Sequence, residues 1–214
     1  MQLLTSALAT LAVCAGSASA ANFTGDVLNG VRVIHDLNLA DVPARSVQKY
    51  YLRVGELNGG HPVHIPVMVA RGTPESLENG KKLSLSAAIH GDELNGVRVV
   101  QRIFEQLEGQ VATLNGTGKP NPLIICSASA YIRLVIGIPT VNPMGIYLNQ
   151  RNYFTAGSSG FFTNVNRVFP GTAATEGGSG PQLLAYNIWN YVWGNTSQVD
   201  VGIDLRMCYR ARHA

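Results

Sequence analysis

Cysteine is scarce in this chain of 214 residues, which has only Cys14, Cys126 and Cys208. Discounting Cys14, which lies in an apolar leader, two cysteines make at most one bridge, and their spacing matches no zinc motif. A small disulfide-stapled scaffold is thereby excluded. Long apolar runs are missing as well: nowhere do about 18 consecutive apolar residues occur, the minimum for a membrane-spanning helix. Positive charge is in short supply. Sixteen Lys and Arg face thirteen Asp and Glu, for a formal charge of +3. Arg206, Arg210 and Arg212 account for all of that excess, so the rest of the chain is balanced and carries no electrostatic footprint for nucleic acid. No strand–Gly-loop–helix ending in Lys-Ser/Thr offers a phosphate cradle. Internal repeats and coiled-coil heptads are absent too.

The first residues read as an address. Leu3 to Val13 is an apolar run, and Ala18-Ser19-Ala20 supplies the small-x-small spacing ahead of Ala21. Residues 1–20 are expected to be a signal peptide, which makes the protein secreted. Three sequons beginning at Asn22, Asn115 and Asn195 agree with export and with a glycoprotein. What remains, roughly 190 residues, suits one domain with a proper core.

Residues 21–47, punctuated by Asp, Asn, Gly and Pro, read as an irregular lead-in. From Gln48 onward the texture is β-rich: Tyr50 to Val54 and His64 to Ala70 flank Asn58-Gly59-Gly60, a hairpin signature. Leu83 to Ile89 is small and apolar throughout, as in a strand buried on both faces. Val97, Val100, Ile103, Phe104 and Leu107 then follow the three-four spacing of a helix with one buried face. A second strand region falls within residues 123–140, although Cys126 to Val135 has no clear period. Residues 145–180 are rich in Gly, Asn and Ser and read as an extended surface loop. Pro181 opens a helix carrying Leu183, Leu184, Ile188, Trp189 and Val192, and residues 199–205 close the ordered part as a strand. Strand and helix alternate here as in an α/β fold, with a central mixed, mainly parallel sheet and helices on both faces.

Chemistry is concentrated at His90-Gly91-Asp92-Glu93, directly after the Leu83–Ile89 run. A strand ending in His-x-x-Glu aims an imidazole and a carboxylate out of the sheet's carboxyl edge, where open α/β sheets place their sites. Both are zinc ligand types, and a catalytic zinc usually takes three protein ligands and a water. Val141-Asn142-Pro143-Met144-Gly145, Arg151, Asn166-Arg167-x-Phe169-Pro170-Gly171 and Asp200-x-x-x-Asp204-Leu205 follow in order. In this series the chain resembles the succinylglutamate desuccinylase/aspartoacylase family of zinc carboxypeptidase-like hydrolases, over about residues 48–205. The resemblance implies a three-layer αβα domain with a central mixed sheet and one Zn2+ held by His90 and Glu93. It also implies Arg151 as the group that stabilises an oxyanion, and Asn166 and Arg167 as the grip on a substrate carboxylate. A planar guanidinium suits that last task, since it can give a carboxylate two parallel hydrogen bonds. The implied reaction is attack of zinc-bound water on an amide or ester carbonyl of a carboxylate-bearing small molecule or peptide.

Two departures qualify that reading. The family's third ligand is a His after an Asp-Leu pair, and here Asp204-Leu205 is followed by Arg206. Arginine stays protonated and has no lone pair for a metal. At 4 Å from a dication its charge is repelled by roughly 8 kcal/mol at an effective dielectric of 20. The family's general-base glutamate, in turn, is expected beyond the last residue given. Residues 48–205 are therefore expected to be a partial zinc hydrolase-like domain, incomplete at its C-terminal side. Residues 206–214 form an anomalous basic tail of the kind left by a frame change or an unspliced segment. The expectation is an impaired zinc hydrolase. The alternative is a non-catalytic secreted binding domain or a fragment without activity. His61 and His64 flank a strand with no carboxylate nearby, so they read as surface residues, and His213 in the tail lacks the supporting shell a ligand needs.

Overall fold

Residues 21–47 are not an irregular lead-in. The computed structural model describes residues 22–57, 59–78, 80–108, 132–154, 162–194 and 198–206, and the strands begin at once. Phe23–Leu28 (β1) turns through Asn29 and Gly30, both at positive φ (51° and 78°), into Val31–Ile34 (β2). Two positive-φ residues are what a tight hairpin with the sheet's right-handed twist requires, and Asn-Gly meets that demand at little cost. A short 3-10 turn, Leu39–Asp41, is then fastened to the sheet by Arg71. This guanidinium is buried and donates to the carbonyls of Leu39 (3.3 Å), Val42 (2.6 Å) and Pro74 (3.3 Å).

The expected hairpin is present, with Ser46–Glu56 (β3) paired antiparallel to Pro62–Arg71 (β4). Alternation along β3 sends Tyr50, Leu52 and Val54 to one face. Lys81–Ala87 (β5) is buried from Leu83 onward and leads to helix Asn95–Glu108 (α1). Ile132–Ile138 (β6) returns parallel to β5 as a strand–helix–strand unit. Next come Pro143–Tyr147 (α2), then Gly180–Ile188 (α3), which widens into a π turn over Trp189–Trp193, and last Val201–Leu205 (β7).

The strand order is β1-β2-β3-β4-β6-β5-β7. Among the described residues three of the six pairings are parallel (β2–β3, β5–β6, β5–β7), so the sheet is mixed, as expected, with parallel and antiparallel pairings in equal number. All strands but β1 and β4 nonetheless run the same way. The ends of β2, β3, β5, β6 and β7 therefore share one carboxyl edge.

The sheet separates two cores. On one face α1 sets Val100, Phe104 and Leu107 against Met68, Ala70, Leu83, Leu85 and Val135. Phe104 lies so close to Gly137 that a Cβ there would stand 2.4 Å from its ring. On the other face Leu184, Ile188 and Val192 of α3 and its π turn cover Leu52, Ile65, Val67, Leu134 and Ile136. The expected three-layer α/β arrangement is thus formed. β7 closes one side of the sheet, with Val201 and Ile203 exposed there.

Residues 145–180 are not simply an extended surface loop. They contain part of α2, a bridge between Tyr153 and Thr163, and 3-10 turns at Val165–Arg167 and Ala174–Glu176. Tyr153 and Val165 are buried in the second core, which ties the segment down over the sheet edge. The proposed leader, Cys126 and Cys208, the sequons at Asn115 and Asn195, and His213 lie outside the described residues. Among the described residues no helix is long and apolar enough to cross a membrane.

Candidate active site at the carboxyl edge of the sheet

β5 ends at Ala87, and the chain then bends sharply. Ala88 takes a positive φ of 52°, an uncommon conformation for a residue with a Cβ, and such strain clusters at functional sites. The segment after β6 supports the bend, with Val141 N–H donating to Ala87 O and Asn142 N–H to Ala88 O, each at 3.0 Å. Asn142 is buried and caps α2, its Oδ1 accepting from Gly145 N–H at 2.9 Å. Gly91 then presses against that first turn: a Cβ on it would lie 2.0 Å from the carbonyl carbon of Gly145. Only glycine allows the His90 turn and the α2 turn to touch, so the two motifs form one unit.

His90 is fully buried. Its Nδ1 lies 3.0 Å from Glu93 Oε1, and its Nε2 lies 3.2 Å from Asn164 Oδ1. Asn164 Oδ1 also accepts the backbone N–H of Asn166 at 3.0 Å, which fixes that atom as the amide oxygen. The ring therefore meets an acceptor at both nitrogens. A neutral imidazole carries a single N–H, so one of the two contacts calls for a further proton or a cation. Glu93 Oε1 also accepts from Arg151 Nη1 at 2.9 Å, while Glu93 Oε2 is buried without a partner.

Strand β7 brings the remaining groups to the same edge, since its Leu205 pairs with Ala87. Asp204 Oδ1 accepts from Ser86 Oγ at 2.9 Å, and its Oδ2 accepts from Arg206 Nε at 2.6 Å. Arg206 Nη2 donates to Asn166 Oδ1 at 3.0 Å. One hydrogen-bonded row thus runs from Arg151 through Glu93, His90, Asn164 and Asn166 to Arg206. All five residues singled out from the sequence lie in it or beside it. Arg167 is at the rim, exposed, and donates to the carbonyl of Asn166 at 3.1 Å. Asn164, at the centre of the row, is the residue that motif reading missed.

Whether this donor set fits a zinc ion can be tested on the geometry. His90 Nδ1 and Glu93 Oε1 are close enough for a single ion with arms of about 2.0–2.2 Å to bridge them. The orphaned Glu93 Oε2 fits a cation as well. The third protein position does not. The residue following Asp204-Leu205 is Arg206, anchored by Asp204 and Asn166, and among the described residues no cluster of three His, Cys, Asp or Glu occurs anywhere. The described residues therefore do not fit a three-ligand zinc centre. His61 and His64 do not supply another: His61 is exposed, and burial and the neighbouring Arg53 hold the His64 imidazole below its ordinary pKa.

A scan of the sequence against protein-family models finds no match, and a search of curated proteins finds none either. Solved structures do share the fold. An aspartoacylase family protein from Mesorhizobium loti aligns with a TM-score of 0.53 at 24% identity, over 78% of this chain and 41% of its own. A succinylglutamate desuccinylase/aspartoacylase from Rhodobacter sphaeroides aligns at 0.51 and 21%, over 75% of this chain and 39% of its own. At these identities the likeness establishes the fold alone: the mixed sheet and its flanking helices match the α/β fold of these structures. The chain spans about two fifths of the length of these structures.

Proposed function

We propose that this chain carries part of a hydrolase domain of the deacylase/carboxypeptidase type, descended from the succinylglutamate desuccinylase/aspartoacylase family, whose zinc centre has been dismantled. On this reading it binds a carboxylate-bearing small molecule or peptide and does not turn it over. Descent is supported by the order of the His-x-x-Glu, Asn-Pro-x-Gly, Asn-Arg-x-Phe-Pro-Gly and Asp-Leu motifs, together with the shared fold. Arg151 would face the substrate carbonyl, and Asn166 and Arg167 its carboxylate. The apolar leader supports export.

The observation that carries the loss of activity is the tether on Arg206. Its guanidinium is fixed by Asp204 and Asn166 at the end of the row that contains His90 and Glu93. A dication on His90 and Glu93 would find at position 206 a protonated side chain with no lone pair to offer. The test is hydrolysis of N-acyl amino acids and of C-terminal peptide bonds by the purified chain supplied with zinc. The expected result is no release above a blank without protein. Sustained, chelator-sensitive turnover would show that a working metal centre survives and would overturn this reading.

A further inference from the structure

We infer that the cavity between the carboxyl ends of β2 and β3 and helix α3 is a second binding site, which takes a small organic ammonium ion with Asp36 as its counter-ion. This site is separate from the His90 row: β3 and β5 are three strand spacings apart, roughly 14 Å of sheet.

Three local departures from regular structure meet at this cavity. Near the end of β3, Arg53 pairs with His64 and Gly55 with Val63, so Val54 is the extra residue of a bulge. A bulge takes one residue out of the ladder and bends its strand, and bulges are common beside active sites. Asn187 of α3 takes up the Val54 carbonyl with its Nδ2 at 2.8 Å, which leaves Asn187 Oδ1 as an acceptor. The π turn that ends α3, a form frequent at functional sites, carries Tyr191, whose carbonyl accepts from Leu37 N–H at 2.8 Å. Between β2 and Leu37 stands Asp36, with a buried Oδ1 that has no partner. Asp36, Arg53, Glu56, Leu183, Asn187 and Tyr191 all line the cavity, whose volume of about 680 Å³ is in the range of small-molecule sites.

The charges on its wall select the ligand. Arg53 and Glu56 form an ion pair and cancel. With His35 neutral, the wall keeps the single negative charge of Asp36. Burial raises the Asp36 carboxyl above its ordinary 3.8, although His35 draws it down, so its ionised form is held at a cost. Burial, Tyr186 and Asp36 raise the Tyr191 phenol above its ordinary 10, so at pH 7 the carboxylate has a neutral aromatic ring as its neighbour. An ammonium ion supplies what is missing: a counter-charge and N–H donors for the carboxylate, a donor for Asn187, and a cation for the ring of Tyr191. Leu183 gives its carbon chain an apolar wall. An anion would instead meet the uncompensated carboxylate, and for a metal ion no three His, Cys, Asp or Glu come together among the described residues.

The test is isothermal titration of the full chain with n-butylammonium chloride at pH 7 in EDTA, beside 1-butanol and potassium chloride. The expected result is saturable binding of the ammonium alone, weakened at least tenfold in Asp36→Asn and about two- to fivefold in Tyr191→Leu. Asp36→Asn keeps the side chain's shape and removes an unfavourable buried charge, so the variant is expected to fold. In thermal melts the ammonium should raise the midpoint of the wild type and not that of Asp36→Asn. Equal affinity in folded Asp36→Asn, equal binding of 1-butanol, displacement of the ammonium by equimolar potassium, or no binding to the folded wild type would each overturn the inference. None of these results would touch the dismantled-centre reading.

Discussion

Replacing Asn164 by alanine tests whether the site is one connected structure. Its Oδ1 accepts from His90 Nε2 at 3.2 Å and from the Asn166 backbone at 3.0 Å. His90 is fully buried, and an unsatisfied buried donor costs about 1–3 kcal/mol. The Asn166 N–H is only partly buried and adds about 1 kcal/mol. The expected destabilisation is therefore about 2–4 kcal/mol. With a urea slope of roughly 2 kcal/mol/M for a domain of this size, the unfolding midpoint should fall by about 1–2 M. Asn164→Leu, which keeps volume but no acceptor, should behave like alanine, whereas Asn164→Asp keeps the oxygen and should recover most of the loss. A midpoint for Asn164→Ala within about 0.25 M of wild type would refute the row as a structural unit.

Gly91→Ala places a methyl 2.0 Å from the Gly145 carbonyl carbon, so one of the two turns must move; a loss of about 3 kcal/mol or more is expected in the same urea assay. Phe104→Ala empties the centre of the α1 core and should cost about 3–5 kcal/mol, with Gly137→Ala also destabilising because the ring blocks its Cβ. Asp36 has a buried, unpartnered Oδ1, and burial raises its carboxyl above the ordinary 3.8. A raised folded pKa means stability present below about pH 3.8 and lost as pH climbs through the folded value. Asp36→Asn should therefore raise the unfolding midpoint at pH 7 and leave it unchanged near pH 3; no gain at pH 7 would contradict the assignment. At the sequon beginning at Asn22 the side chain is buried and donates to Asp41 at 3.0 Å, so intact-mass analysis of exported protein should find no glycan there.

The parts of the fold that were legible in the sequence are those where a single periodicity dominates. The β3–β4 hairpin alternates on either side of its turn, and α1 keeps a three-four stripe, so both follow from local rules. The first hairpin was equally marked by Asn29-Gly30, yet surrounding Asp and Gly obscured it. The turn that follows it is held by Arg71, 29 or more residues from the carbonyls it binds at Leu39 and Val42, a contact no local pattern announces. The same holds at the site. His90, Glu93, Arg151, Asn166 and Arg167 stand out because their residue types and motif order carry chemistry. Asn164 does not: its role comes from a bond to His90 across 74 positions. The anchoring of Arg206 by Asn166 spans 40 and was likewise hidden, although the substitution itself was plain in the sequence.

The central claim is that Arg206 has replaced a metal ligand. It is tested most directly by the zinc content of the purified chain after dialysis, measured beside Arg206→His and His90→Ala. The account predicts well under one zinc per wild-type chain, a clear rise in Arg206→His, and none in His90→Ala. One zinc held by the wild type and lost in His90→Ala would contradict it, because the site would then possess a third ligand in spite of the arginine.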